Sequence, residues 1–257
     1  MNARERWIAY WTLVLRETLR FLRIWIQTVV PPMVTTALYF VIFGNLIGER
    51  VGPMAGHPYR DFIVPGLIMM SVITNSYANV VSSFFGAKYQ RHVEEMLVAP
   101  VPHYVILGGY VTGGILRGLV VGLAVTAVAA VFAEVRVHAG WVLVAMAVLT
   151  AGLFSIGGFI NAVFARNFDD ISLIPTFVLT PLTYLGGVFY SIDLLPPFWR
   201  ELSLFNPILY MVDAFRYGML GVHDSPLWAS FVIVLTAGTA LWVLALSLLR
   251  RGVGLRS

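Results

Sequence analysis

The sequence predicts an all-α membrane protein of six transmembrane helices, with an N-terminal interfacial helix and a re-entrant helical segment between spans five and six. Three observations carry that expectation. Of 257 residues, 59% are hydrophobic and only 12% are charged, against roughly 25% charge in an ordinary soluble domain. The mean hydropathy is +0.82, and so few charged groups cannot cover a water-facing surface. Six apolar runs are each long enough to cross about 30 Å of hydrocarbon. A soluble enzyme, a disordered chain and a fibrous repeat are excluded on this composition. The chain has no cysteine, which excludes disulfides and thiolate metal sites and leaves the compartment open.

Residues 3–23 read as an amphipathic helix. Glu5, Thr12, Arg16, Arg20 and Arg23 fall on one face, with Trp7, Trp11, Val14, Leu15 and Leu22 opposite, a pattern suited to a helix lying in the headgroup plane. The apolar run after Arg23 is too long for a secretory h-region and no small-residue cleavage site follows it. Spans are expected at 25–47, 62–85, 104–132, 141–164, 171–190 and 227–249. The first carries the Pro31-Pro32 pair, and the third is long and Gly-rich, so it is expected to tilt or bend. The loops are short, and residues 1–257 read as a single membrane domain.

Six spans place both termini on one side, and the positive-inside rule chooses that side. With a cytoplasmic N-terminus, the inner segments carry Arg4, Arg6, Arg16, Arg20, Arg23, Lys88, Arg91, Arg166, Arg250, Arg251 and Arg256. The outer segments carry only Arg50, Arg60, Arg136, Arg200 and Arg216, and Arg117 lies within a span. Both termini are therefore expected in the cytoplasm.

Catalytic chemistry is not expected on this chain. There is no His-Glu-x-x-His, no Gly-x-Ser-x-Gly, and no intramembrane carboxylate pair to act as acid and base. No catalytic residue and no metal ligand set is assigned. A phosphate-binding loop needs Gly-Lys-Ser/Thr, whereas the single lysine, Lys88, stands between Ala87 and Tyr89. The chain cannot be a nucleotide-hydrolysing subunit.

Two stretches carry the functional information. Residues 86–103, GAKYQRHVEEMLVAPVPH, join spans two and three. A short helix over 91–98 ends where Pro100 and Pro102 disfavour it. It sets acidic Glu94 and Glu95 beside apolar Met96 and Leu97, and reads either as a solvated turn or as a docking knob for a partner's groove. Within the re-entrant segment 191–225, residues 194–220 are too apolar for an ordinary loop yet are broken by Pro196, Pro197 and Pro207. Two short helices dipping into the outer leaflet meet both conditions. Asp213 and Arg216, at i and i+3, are placed to pair.

These stretches resemble the membrane subunit of a type-2 ABC exporter, and within that family the bacterial YadH-like permeases. The match rests on Val93-Glu-Glu-Met-Leu-x-Ala-Pro100, on Leu195-Pro196-Pro197-Phe-Trp199, and on Asn206-Pro207-x-x-Tyr210-x-Val-Asp213-x-x-Arg216. The resemblance covers nearly the whole chain. It implies a homodimer carrying two copies of a separate ATPase subunit on its cytoplasmic face, in a bacterial inner membrane. ATP and Mg would be held by that partner and no cofactor by this chain; the bilayer, not nucleic acid, is the other partner. Glu94, Glu95, Met96, Leu97 and Pro100 would then receive the ATPase's motion. Pro196, Pro197, Asn206, Pro207, Tyr210, Asp213 and Arg216 would form the outer gate, and spans one, two and five would line the pathway.

The residues add candidates for that pathway. Ser71, Asn75, Asn79 and Ser82 form a polar stripe on the second span, serving either interhelical hydrogen bonds or a wet path. Thr176, Thr180 and Thr183 on the fifth span, and Thr28 and Thr35 on the first, divide the same way. These neutral groups argue against a highly charged substrate. Gly114, Gly118 and Gly122 form a ridge for close helix packing. Arg117 stands either as a functional intramembrane charge or as a partner of backbone carbonyls. Two other functions compete with the exporter: an ATP-independent secondary transporter, and a membrane assembly protein that transports nothing.

Overall fold

Helix α1 (Ala3–Arg23) starts where the sequence supplies a reciprocal cap. The Asn2 side chain accepts from the Glu5 N–H at 2.9 Å, and the Glu5 carboxylate accepts from the Asn2 N–H at 2.9 Å, which satisfies two otherwise orphaned donors. Arg20 and Arg23 in its last turn complement the negative end of the helix dipole. Trp7, Trp11, Leu15, Leu19 and Leu22 face outward, whereas Val14, Glu17 and Phe21 are buried. The computed structural model describes residues 1–254, without the side chains of Asn45, Leu46, Glu49 and Leu97. Arg256 and the Leu97 side chain, both named above, lie outside the described residues.

The rest of the described chain is helices joined by turns and short loops, with one isolated bridge between Met54 and His57. Helix α2 (Trp25–Tyr39) contains Pro31 and Pro32, which remove two backbone donors, and it widens into π-helical turns over Phe40–Ile47. Helix α3 (Tyr59–Tyr89) is the centre of the bundle, with most of its side chains buried. A short helix α4 (His92–Val98) leads into α5 (His103–Phe132) and α6 (Gly140–Phe164). Both long helices pack along α3. Close approach depends on glycine: a Cβ on Gly122 would lie 2.8 Å from Val72 Cγ2, and one on Gly158 would lie 2.5 Å from the Tyr77 carbonyl oxygen. The expected ridge on the third span therefore faces α3.

The expected fifth span takes a different form. Helix α7 runs over Asp170–Leu185 and passes from α to π geometry at Pro175–Leu179 and back. The Thr180 hydroxyl donates to the Pro175 carbonyl at 2.9 Å across the wide turn. Gly187, at φ +71°, sends the chain off the helix in a conformation costly for other residues. At 1.5 Å per residue the 16 residues rise roughly 24 Å, less than the hydrocarbon thickness. Among the described residues, five helices are long and apolar enough to cross a membrane: Trp25–Gly44, Tyr59–Tyr89, His103–Phe132, Gly140–Phe164 and Leu227–Arg251. The last of these is α10, reached through a 3-10 turn (Ile192–Leu194), α8 (Pro197–Leu204) and α9 (Pro207–Leu220).

Candidate coupling surface and polar cleft

At the end of the bundle that carries Lys88, Arg91 and Arg166, α4 stands out from the long helices. Arg91 opens it in the left-handed region at φ +62°, which breaks the path of α3 and turns α4 away. Glu94 and Glu95 are exposed, Pro100 is exposed after the last turn, and Val98 is 87% exposed. Val93 is buried, and Met96 turns inward, its sulfur 4.0 Å from the Tyr110 hydroxyl. Among the described side chains of α4, the outward apolar group is thus Val98, while Met96 anchors the helix. Beside α4 lies a recess of about 490 Å³ lined by Phe85, Lys88, Arg91, Glu94 and Arg166. Lys88 Nζ donates to the carbonyls of Val163 and Ala165 at 2.6 and 2.8 Å, closing the C-terminus of α6.

Behind α4 is a buried charged cluster that the sequence reading missed. Glu17 is fully buried. Its carboxylate accepts from Ser83 Oγ at 2.8 Å, from Arg16 at 3.2 Å and from Arg20 at 3.3 Å. Arg16 also donates to the Tyr110 hydroxyl at 2.7 Å, and Arg20 donates to the backbone and side-chain oxygens of Asn79 at 2.9 and 2.8 Å. The signal was present: Val14, Glu17 and Phe21 share one stripe at i, i+3 and i+7. A charge on a buried stripe demands a built partner set.

The pathway candidates divide. Thr35 and Asn75 line one cleft of about 330 Å³ between α2 and α3, together with Gln27, Thr28, Ser71 and Arg117. Asn75 Nδ2 donates to the Ser71 carbonyl at 3.0 Å, which turns Oδ1 toward Arg117 at 3.3 Å. Asn79 is fully buried and engaged by Arg20, and Ser82 is exposed outside the cleft. Thr176 and Thr180 are exposed on α7, whereas Thr183 is buried with its hydroxyl on the Leu179 carbonyl at 2.6 Å. The three threonines do not join Thr35. What links α7 to the cleft is Tyr39, whose hydroxyl meets that of Tyr184 at 3.4 Å. Tyr39, Phe43, Tyr184 and Phe189 form one aromatic cluster there.

At the opposite end, Pro196 and Pro197 start α8, and Asn206 caps α9 by accepting from the Ile208 N–H at 3.0 Å. Asn206 Nδ2 reaches back to the Leu182 carbonyl at 2.6 Å, and the Tyr210 hydroxyl donates to the Leu204 carbonyl at 2.9 Å. Pro207 occupies the first turn of α9, where its missing N–H costs nothing. Asp213 and Arg216 form no ion pair with each other. The Asp213 carboxylate accepts from the N–H groups of Asp224 and Ser225 at 2.8 Å each, whereas Arg216 donates to the Gly187 carbonyl and stacks 4.1 Å from the Phe62 ring. Their spacing suggested a pair, but each is claimed by backbone groups distant in sequence. In the neighbouring loop, the Arg136 guanidinium holds the exposed Glu134 carboxyl below its ordinary value through a hydrogen bond and its charge.

Membrane-length helices around a polar cleft, with an acid-tipped helix at the basic end, define a polytopic membrane protein of transporter type. The chain belongs to the ABC-2 type transporter family, whose model matches residues 8–220. It is 61% identical over 252 residues to the inner membrane transport permease YadH of Escherichia coli strain K12, covering 98% of each chain. It is also 24% identical over 243 residues to nodulation protein J of Rhizobium leguminosarum bv. viciae, covering 91% of this chain and 93% of that one.

Proposed function

We propose that this chain is the membrane subunit of an ATP-driven exporter in a bacterial inner membrane, working as a homodimer with two copies of a separately encoded ATPase. The observation that carries the proposal is the geometry of α4. A short helix held from behind by Val93 and Met96 presents Glu94, Glu95 and Val98 outward, as a rigid peg fixed to two long helices. A partner that pushes on the peg moves α3 and α5 with it. The family membership and the lack of a phosphate-binding loop support the division of labour between two chains. In this reading α7 and the segment through Tyr190 complete a sixth crossing, and both termini lie in the cytoplasm with α4. Helix α1 lies in the headgroup plane with Trp7 and Trp11 toward lipid, and α8 and α9 dip into the outer leaflet as the gate. Substrate passes along the cleft between α2 and α3.

The test is co-expression and co-purification with the proposed ABC ATPase subunit, followed by ATP-dependent transport in proteoliposomes. The wild-type complex should hydrolyse ATP faster than the free ATPase. Glu94→Arg should lower association with the ATPase at least tenfold, because it replaces an exposed acid with a base at the peg. Transport by this chain alone under an ion gradient would overturn the exporter in favour of a secondary transporter. Unchanged association with the Glu94→Arg variant would overturn the role of α4.

A further inference from the structure

Arg117 lies midway along α5 and is the one charged residue deep inside an expected span. One of its terminal nitrogens donates to Asn75 Oδ1, while Nε is buried without a partner. Among the described residues no carboxylate lies within ion-pair distance of it: the acids that pair do so with Arg16, Arg20, Arg60, Arg136 and Arg200. An unbalanced guanidinium at membrane depth is costly, so such a group ordinarily has a counter-charge. A second copy of this chain does not supply one. Its buried acids Glu17 and Asp213 are engaged, Glu17 by two arginines and Asp213, within α9, by the N–H groups of Asp224 and Ser225; the other acids lie outside the expected spans, in short helices, at helix ends or in connecting segments. The balancing charge therefore comes from a molecule that enters.

The cleft fits such a molecule at both ends. Thr35, Ser71 and Asn75 line the same cleft as Arg117, and the two hydroxyls and the second amide N–H of Asn75 can donate to the oxygens of an anion. The apolar part of the cleft lining is Pro31 and Pro32 of α2 with Leu67 and Met70 of α3. We propose that Arg117 anchors an oxyanion and that the substrate class is an amphiphile with an anionic headgroup (phosphate, sulfate or carboxylate), its hydrocarbon lying along α2. The threonines argue against a highly charged substrate, and a single anionic headgroup on a hydrocarbon chain stays within that expectation. That the bound molecule is cargo rests on the exporter reading; the binding itself does not.

The probe is radiolabelled dodecyl phosphate, titrated into the full chain in neutral maltoside micelles. The wild type should bind it saturably, and Arg117→Gln should weaken binding at least tenfold. Arg136→Gln, on an exposed loop, should leave binding unchanged, which separates the site from general attraction to a basic protein. Asn75→Asp keeps the test meaningful if Arg117→Gln fails to fold. It places a carboxylate beside the guanidinium, so it should raise the melting temperature without ligand and abolish binding. Equal binding by Asn75→Asp and wild type, or no saturable binding by the wild type, would overturn the proposal. Inorganic phosphate that displaces the probe at equal concentration would overturn the amphiphile assignment. No ATPase is present, so failure here leaves the exporter reading standing. A complex that binds the probe yet lacks ATP-driven transport would strike the exporter reading alone.

Discussion

Glu17 and Asp213 are both buried carboxylates, yet they do different work. Glu17 ties α1 to α3 through Ser83 and gathers Arg16 and Arg20. Glu17→Gln removes the charge while two guanidinium groups, 46% and 32% exposed, remain partly hydrated, so we expect a loss of about 1.5–3 kcal/mol, the range for hydrogen bonds to a charged group. Thermal unfolding in detergent reads that loss. Asp213 closes the turn after α9 by accepting two backbone N–H groups. Asp213→Asn has one carbonyl oxygen in place of two carboxylate oxygens, and leaving an N–H unpaired costs about 1–3 kcal/mol. Amide exchange at Asp224 and Ser225 should accelerate while exchange in α3 stays unchanged. Their roles differ in legibility as well. The neighbours Val14 and Phe21 betray Glu17, whereas nothing near Asp213 in sequence announces Asp224 and Ser225 as its partners, because the turn that delivers them is a tertiary feature.

Among the elements, the long helices were readable because hydrophobic length is a strong signal, and α4 was readable because Pro100 and Pro102 end it. Helix α7 was not. Its composition suits a span, but Pro175 and Pro181 widen its turns and Gly187 ends it early. The polar stripe on α3 was visible, yet which members meet the cleft depended on Arg20 reaching Asn79 first. Packing against α3 is the most sensitive point. Gly158→Val places a branched side chain where even a Cβ meets the Tyr77 carbonyl. Overpacking of that kind costs about 1–3 kcal/mol, and the melting temperature should fall accordingly. Gly238, whose Cβ would meet open space, should accept alanine without loss.

For the whole molecule, the number of crossings decides where the ends lie. The chain has no cysteine, so single cysteines report cleanly on sidedness. Arg4→Cys and Arg251→Cys should both react with an impermeant maleimide only after the membrane is opened from the outside. A five-crossing arrangement would put them on opposite sides. Composition and periodicity made the membrane bundle legible, whereas the meeting of Arg117, Asn75 and Thr35 needed the packing of three helices. The seat of Glu17 carries one more consequence, for the order of assembly. Its pocket is built from Ser83 and from Gly113, where any Cβ would collide with the Glu17 side chain. Those residues emerge 66 and 96 positions later in synthesis. Helix α1 thus has no complete seat for Glu17 until α3 and α5 are inserted side by side. An element made before α3 and α5 is seated only after both.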